Sequence, residues 1–456
     1  MEVDFGKWYD AREKDLLKDF FTYLRFPSVS AQKQHKKDLL DCAKWVKGYL
    51  DKRGFKTAMW EGSGHPAIFA ERIVSESAPT ILFYGHYDVQ PPEPLNLWKS
   101  KPFEPEIRDG VIFARGAEDN KGQNFYSMVA IEAFFEAYPD AQVNVKWVIE
   151  GEEEMGSTTL HEILPKYQKE LSADYLLIVD MGMDSWKKPA LAIGARGITT
   201  FEITLRAMNT DVHSGAFGGI AYNPIRALTE LLGGVIDSDG KVVVPGFYED
   251  IAPLTKEEKA LLDLGFDREE CEKGIGLKAF HAEKGYTQKE SVSMRPTFEI
   301  NGIWGGYTDE GFKTVIPKEA SAKISCRLVP NQSPDKVYQK VVDYIRSKVP
   351  KGIDVQITFL GGGSASWASP LSPLTKIARQ AYKDILGSSH LVYSGGSVPI
   401  TADLAKYSGA EFVAPGVGLD SDNIHAPNEN FSLKQLRTGY LIITRMLELF
   451  AQNHST

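Results

Sequence analysis

Cysteine is scarce: three residues in 456, Cys42, Cys271 and Cys326. An odd, scattered trio builds neither a disulfide framework nor a thiolate metal site. Long apolar runs are missing as well. No stretch approaches the roughly 18 uncharged apolar residues of a membrane span. The start of the chain stays charged from Glu2 and Asp4 through Lys18-Asp19, without the basic, apolar and small-residue layout of a secretory leader. Positive charge is outnumbered, 52 Lys and Arg against 61 Asp and Glu, for a net −9. That balance disfavours a nucleic-acid partner. The expectations are no nucleic acid, no membrane and a cytoplasmic setting.

What is present suffices for a globular protein. Hydrophobic residues make up 43% of the chain and charged residues 25%, enough for two or three domains with real cores. Three apolar runs, Thr80 to Tyr84, Val143 to Ile149 and Tyr175 to Val179, read as buried parallel strands, with a helical pattern over Gln123 to Tyr138 between two of them. Strands alternating with helices predict an α/β fold with a mainly parallel sheet. Beyond Arg196-Gly197 the pattern changes. Ile198 to Met208 is strand-like and Asn223 to Ile236 helix-like. Ala322 to Val329 alternates, Pro334 to Val349 has helical spacing, and Ile353 to Phe359 alternates again. This predicts a smaller α+β domain inserted in the first, with a half-exposed antiparallel sheet. The expected division is a first domain over 1–197 and 368–456 and an insert over 198–367. Gly361-Gly362-Gly363-Ser364 reads as a hinge or boundary.

Each early strand runs straight into polar residues: Gly85-His86-Tyr87-Asp88, then Glu150 to Glu154, then Asp180. Open α/β sheets bind ligands at the carboxyl ends of their strands. The candidates are therefore His86, Asp88, Asp119, Glu153, Glu154, Asp180 and His425. Imidazole and carboxylate suit zinc, manganese or cobalt. Two histidines and three carboxylates suffice for a bridged pair of cations, which can activate water and polarise a scissile carbonyl. A further carboxylate can shuttle the proton to the leaving amine. Each piece has an ordinary reading too. Asp119 can cap a helix, Glu152-Glu153-Glu154 can be a solvated face, Asp180 a turn residue and His425 a surface-loop residue.

The segments Tyr84 to Pro91, Ala114 to Gly122, Glu150 to Ser157, Asp211 to Gly215, Thr314 to Pro317, Arg327 to Pro330 and Gly395 to Pro399 resemble, in order and spacing, the dinuclear-metal peptidases of clan MH. The likeness is to their cytosolic nonspecific dipeptidase and carnosine dipeptidase branch, and it spans nearly the whole chain. The resemblance implies that Asp119 bridges two divalent cations, zinc or manganese foremost. One would also take His86 and Asp180, the other Glu154 and His425. It implies that Asp88 orients His86, that Glu153 is general base and then acid, and that the bond after Asp119 is cis. His213, in the insert, would stabilise the oxyanion in the partner subunit of a homodimeric lid and dimerisation arrangement. Thr314 and Arg327 would contact the carboxylate end of a small peptide, and Ser397 would add a hydrogen bond. Relatives often carry Arg-Glu before the Gly-Gly-Ser element; Tyr393-Ser394 stand here, so recognition of a substrate amino group by that glutamate is absent.

The expected function is metal-dependent hydrolysis of the peptide bond in dipeptides or short peptides. The alternative is hydrolysis of N-acyl amino acids or another small amide. A non-catalytic binding protein on the same fold would be expected to have lost Glu153 or a metal ligand, and none is lost.

Overall fold

A computed structural model describes residues 3–396 and 400–453. The strands Asn144–Glu150, Thr80–His86, Tyr175–Ile178 and Glu411–Val413 lie side by side in that order, all parallel. Ala67–Arg72 and Lys56–Trp60 extend the sheet antiparallel beyond Asn144–Glu150. The central strands are buried on both faces, which is why they read as unbroken apolar runs rather than alternating ones. The helix Lys121–Ala137 touches the Thr80–His86 strand and the helices Glu13–Leu24 and Leu433–Asn453. Enclosed in this way, it buries residues all round rather than along one stripe.

A second sheet has the order Thr297–Gly305, Glu319–Leu328, Gly197–Arg206, Asp354–Gly363, antiparallel throughout. Along Gly197–Arg206, residues 197, 199, 201, 203 and 205 are buried and the alternate ones are not, the period-two signature of a sheet covered on one face. The cover is the pair of helices Pro224–Gly233 and Pro334–Lys348. Each starts from a side-chain cap, Asn223 accepting from Ile225 N and Ser333 from Lys336 N, with proline in the first turn. The first helix stops at Gly233-Gly234, short of the expected Ile236, because two successive glycines forfeit helical propensity.

Fully buried side chains form two separate clusters. One collects residues from Phe5 to Ile193, then Leu262, then Ala368 to Phe450. The other lies entirely between Phe201 and Ile345. The Leu254–Met294 stretch joins the first cluster through Leu262, whose backbone bridges Leu391, while Asp263 N donates to Leu391 O at 2.8 Å.

The glycine stretch is part of a strand. Gly361, Gly362 and Gly363 complete the Asp354–Gly363 strand and pair with Thr200, Thr199 and Ile198. A bulge between Phe359 and Gly361 brings this end of the strand against its neighbours. A Cβ on Gly362 would lie 2.8 Å from Pro334 Cβ and 3.1 Å from Ile198 O. The glycines serve close approach here, not bending.

Candidate active site

His86 ends its strand, and Asp180 follows Tyr175–Ile178 by two residues. Glu153 and Glu154 sit on a short 3-10 turn after Asn144–Glu150. Asp119 precedes the helix Lys121–Ala137 across a cis peptide bond to Asn120. His425 reaches in from a loop near the end of the chain, on a backbone with φ of 59°.

These side chains meet. Asp119 Oδ1 lies 3.0 Å from His86 Nε2, and Asp119 Oδ2 lies 2.9 Å from His425 Nε2. Asp180 Oδ1 is 3.6 Å from His86 Nε2, and Glu154 Oε2 is 3.2 Å from His425 Nε2. Two trios result, His86–Asp119–Asp180 and Asp119–Glu154–His425, sharing Asp119, with the donor atoms of each within 4.8 Å of one another. His86 is wholly enclosed, whereas 53% of the His425 side chain is exposed.

The electrostatics are those of crowded anions. Burial pushes the Glu153 carboxyl well above its ordinary range; His86 pulls it back, and Asp180, Asp119 and Glu154 push it further up. Burial raises Asp180 likewise. Burial would raise Asp119 too, but hydrogen bonds from His425 and His86 hold it below the usual carboxylate range. His425, hydrogen-bonded to Asp119 and Glu154, is pushed up to about 10. Four carboxyls and two imidazoles are thus gathered in one place. The donor set, nitrogen and oxygen without sulfur, fits divalent zinc or manganese.

Supporting contacts set the orientation of these groups. Asp88 is fully buried beside His86, with Oδ1 3.3 Å from Nδ1 and its backbone oxygen 3.1 Å from the same nitrogen. The Asp88 carboxylate also accepts from the backbone N–H groups of Glu153 and Glu154, both at 3.2 Å. One side chain thus aims the histidine and the two glutamates together. Asn120 donates to Asp180 Oδ1 at 2.6 Å and to Val179 O at 2.8 Å. Glu152 is buried and accepts from His65 N and Thr159 N, so this glutamate run is not a solvated face.

Composition and spacing missed two contributors. Gln90 donates to Glu154 Oε2 at 2.6 Å. Glu429 accepts from Asp119 N at 3.0 Å. Gln90 stood within a quoted segment without a role; Glu429 carried no signal beyond lying four residues after His425.

Among the described residues, the candidates His213, Thr314 and Arg327 belong to neither trio. His213, on the two-residue strand Val212–His213 paired with Val315–Ile316, is exposed. Its Nε2 is 3.3 Å from Thr314 Oγ1, and its Nδ1 accepts from Gly215 N at 2.9 Å. Arg327 is the penultimate residue of Glu319–Leu328, paired with Ile198 and Thr297. Ser397 lies outside the described residues. The Tyr393 ring is buried and stacks on Trp367 with centroids 4.1 Å apart, and Ser394 Oγ accepts from Gly396 N. Neither residue supplies a carboxylate.

The model for peptidase family M20/M25/M40 matches residues 82–449. The chain belongs to that family. This M20-family chain is 32% identical over 374 residues to the Beta-Ala-His dipeptidase of Rattus norvegicus, covering 80% of this chain and 76% of that one. It is 29% identical to the Cys-Gly metallodipeptidase DUG1 of Saccharomyces cerevisiae, covering 94% of each. Among solved structures, an M20 family metallo-carboxypeptidase from Sulfolobus solfataricus superposes with a TM-score of 0.84 at 31% identity, over 96% of this chain and 99% of that one. The M20-family protein described here is an enzyme of the metallodipeptidase type.

Proposed function

We propose that the protein hydrolyses dipeptides or short peptides at a centre of two divalent cations, zinc or manganese, bridged by Asp119. The observation that carries this reading is the Asp119 carboxylate, whose two oxygens each face a different histidine and a different trio. His86 and Asp180 would complete one cation site, and Glu154 and His425 the other. When bound, the cations would lower the pKa of water and polarise the scissile carbonyl. Glu153 would serve as the general base and then acid that holds the proton between water and the leaving amine, a role suited to a carboxyl whose surroundings raise its pKa. No side-chain hydrogen bond from the described residues ties down its carboxylate, which supports its availability.

The reading extends to a cytoplasmic homodimer with 198–367 as an inserted lid and dimerisation domain. The core between Phe201 and Ile345 supports the division, although the Leu254–Met294 stretch packs on the larger core. Near His213 and Thr314, Phe312 is 91% and Ile220 80% exposed, apolar surface that a second copy would cover. His213 would then act in the neighbour's site as an oxyanion donor, with Thr314, Arg327 and Ser397 holding the substrate. The three free cysteines support a reducing compartment. Because Tyr393-Ser394 bring no acid for an amino terminus, N-acyl amino acids belong in the assay beside free dipeptides. Purified protein should carry two cations per chain by elemental analysis and lose turnover to a chelator. Full activity without metal would refute the mechanism, and exclusive turnover of N-acyl amino acids would replace the substrate class.

A further inference from the structure

A carboxylate buried beside a cluster of carboxylates must be compensated by strong partners. Glu429 is 0% exposed. Its Oε2 accepts from Arg115 Nη1 and Gly116 N, both at 2.8 Å. Its Oε1 accepts from Glu118 N and Asp119 N, both at 3.0 Å. Arg115 is itself 1% exposed, and its Nη2 donates to Pro91 O at 3.1 Å. The residue before Pro91 is Gln90, which holds Glu154.

The ion pair therefore ties together three stretches of chain: Gln90-Pro91, Arg115 to Asp119 and His425 to Glu429. Each carries, or touches, a member of the Asp119–Glu154–His425 trio. In the other trio Asp88 stands behind His86 and Asn120 against Asp180, with Asp88 also accepting from Glu154 N and Asp119 shared by both trios. His425, half-exposed and on a loop, has the greater need of an anchor.

We propose that the Arg115–Glu429 ion pair is a positioning element that sets the spacing of Asp119, Glu154 and His425, and so the affinity of the cation they hold. The proposal rests on the two-cation reading above. Glutamine cannot replace Glu429. Its amide NH2 would face either Arg115 and Gly116 N–H or the N–H groups of Glu118 and Asp119, donor against donor.

The test is calorimetric titration of cobalt(II) into metal-depleted protein, beside steady-state kinetics. The unmodified protein should take up two cations. Glu429→Gln should bind one with unchanged affinity and the second about 10–100-fold more weakly. Its kcat should fall at limiting cobalt and recover in excess, with KM little changed. Arg115→Lys keeps the charge but cannot serve Glu429 and Pro91 together, and should weaken the same cation by a smaller factor. Two cations held as tightly in Glu429→Gln as in the parent, or both weakened equally, would overturn the proposal. If Glu429→Gln does not fold, Arg115→Lys decides: an unshifted second cation overturns the proposal, and a selective shift supports it. Failure of the parent to bind two cations would instead refute the underlying reading, and it shows in the control before any variant is compared.

Discussion

Neighbouring residues of like type do unlike work in this site. Glu152, Glu153 and Glu154 are consecutive, yet Glu152 holds His65 N, Glu153 lies among the charges of His86, Asp180 and Asp119 with no side-chain hydrogen bond among the described residues, and Glu154 meets His425. Glu153→Gln should accordingly leave metal content intact and lower kcat by about two to four orders of magnitude, because the amide keeps the shape and cannot carry the proton. Elemental analysis and kinetics on one preparation check both halves, and near-parental kcat would assign the base elsewhere. At this scale, strand ends and recognisable segments mark His86, Asp119, Glu154 and Asp180 in the sequence, the role of His425 came only with the family resemblance, and in the structure the side chains of these five meet. Gln90 and Glu429 were illegible because their work is hydrogen bonding across the fold, which leaves no periodicity along the chain.

Elements were legible where burial imposes a pattern. Thr80–His86, Asn144–Glu150 and Tyr175–Ile178 announce themselves by being enclosed on both faces, and Glu319–Leu328 by alternation on a half-covered sheet. The glycines at 361–363 lie inside a strand rather than a turn, and at Gly362 a missing Cβ lets Pro334 and Ile198 pack close. The return of Leu262 to the larger cluster could not be read from the sequence, since an apolar run such as Leu261-Leu262-Asp263-Leu264 does not reveal which core it packs on. Phe201 marks the middle of the smaller cluster and is 0% exposed. Phe201→Ala should cost about 3–5 kcal/mol through lost burial and a residual cavity. Urea unfolding should show that loss in a transition belonging to the smaller core, and an unchanged transition would mean the site collapses around the deletion.

For the whole molecule, the geometry of one chain leaves His213 and Thr314 exposed and in contact with each other, and in neither trio. A homodimer that exchanges His213 makes a specific expectation. His213→Ala alone should keep both metals and lose about a hundred- to thousandfold in kcat, the scale of one oxyanion donor. Mixing His213→Ala with Glu153→Gln should restore activity as subunits exchange, since one site of each mixed dimer pairs an intact Glu153 with an intact His213. Mixed dimers that demonstrably form and stay inactive, or a fully active monomer by light scattering, would remove the exchange.

Ile198 and Gly363 face each other in one antiparallel register, so the chain leaves the larger core and re-enters it at nearly the same point. The larger core is discontinuous, and joining its halves means closing a very long loop, with the entropic cost that carries. If the smaller core forms first, that loop is already closed, and the strand Glu411–Val413 finds its place beside Tyr175–Ile178 as though the two were near in sequence. Order of assembly would then run from the inside of the chain outward. Under refolding conditions Phe201→Ala should delay amide protection in Tyr175–Ile178 and Glu411–Val413, strands it never touches. Protection arriving there on schedule would mean that the larger core closes its own loop.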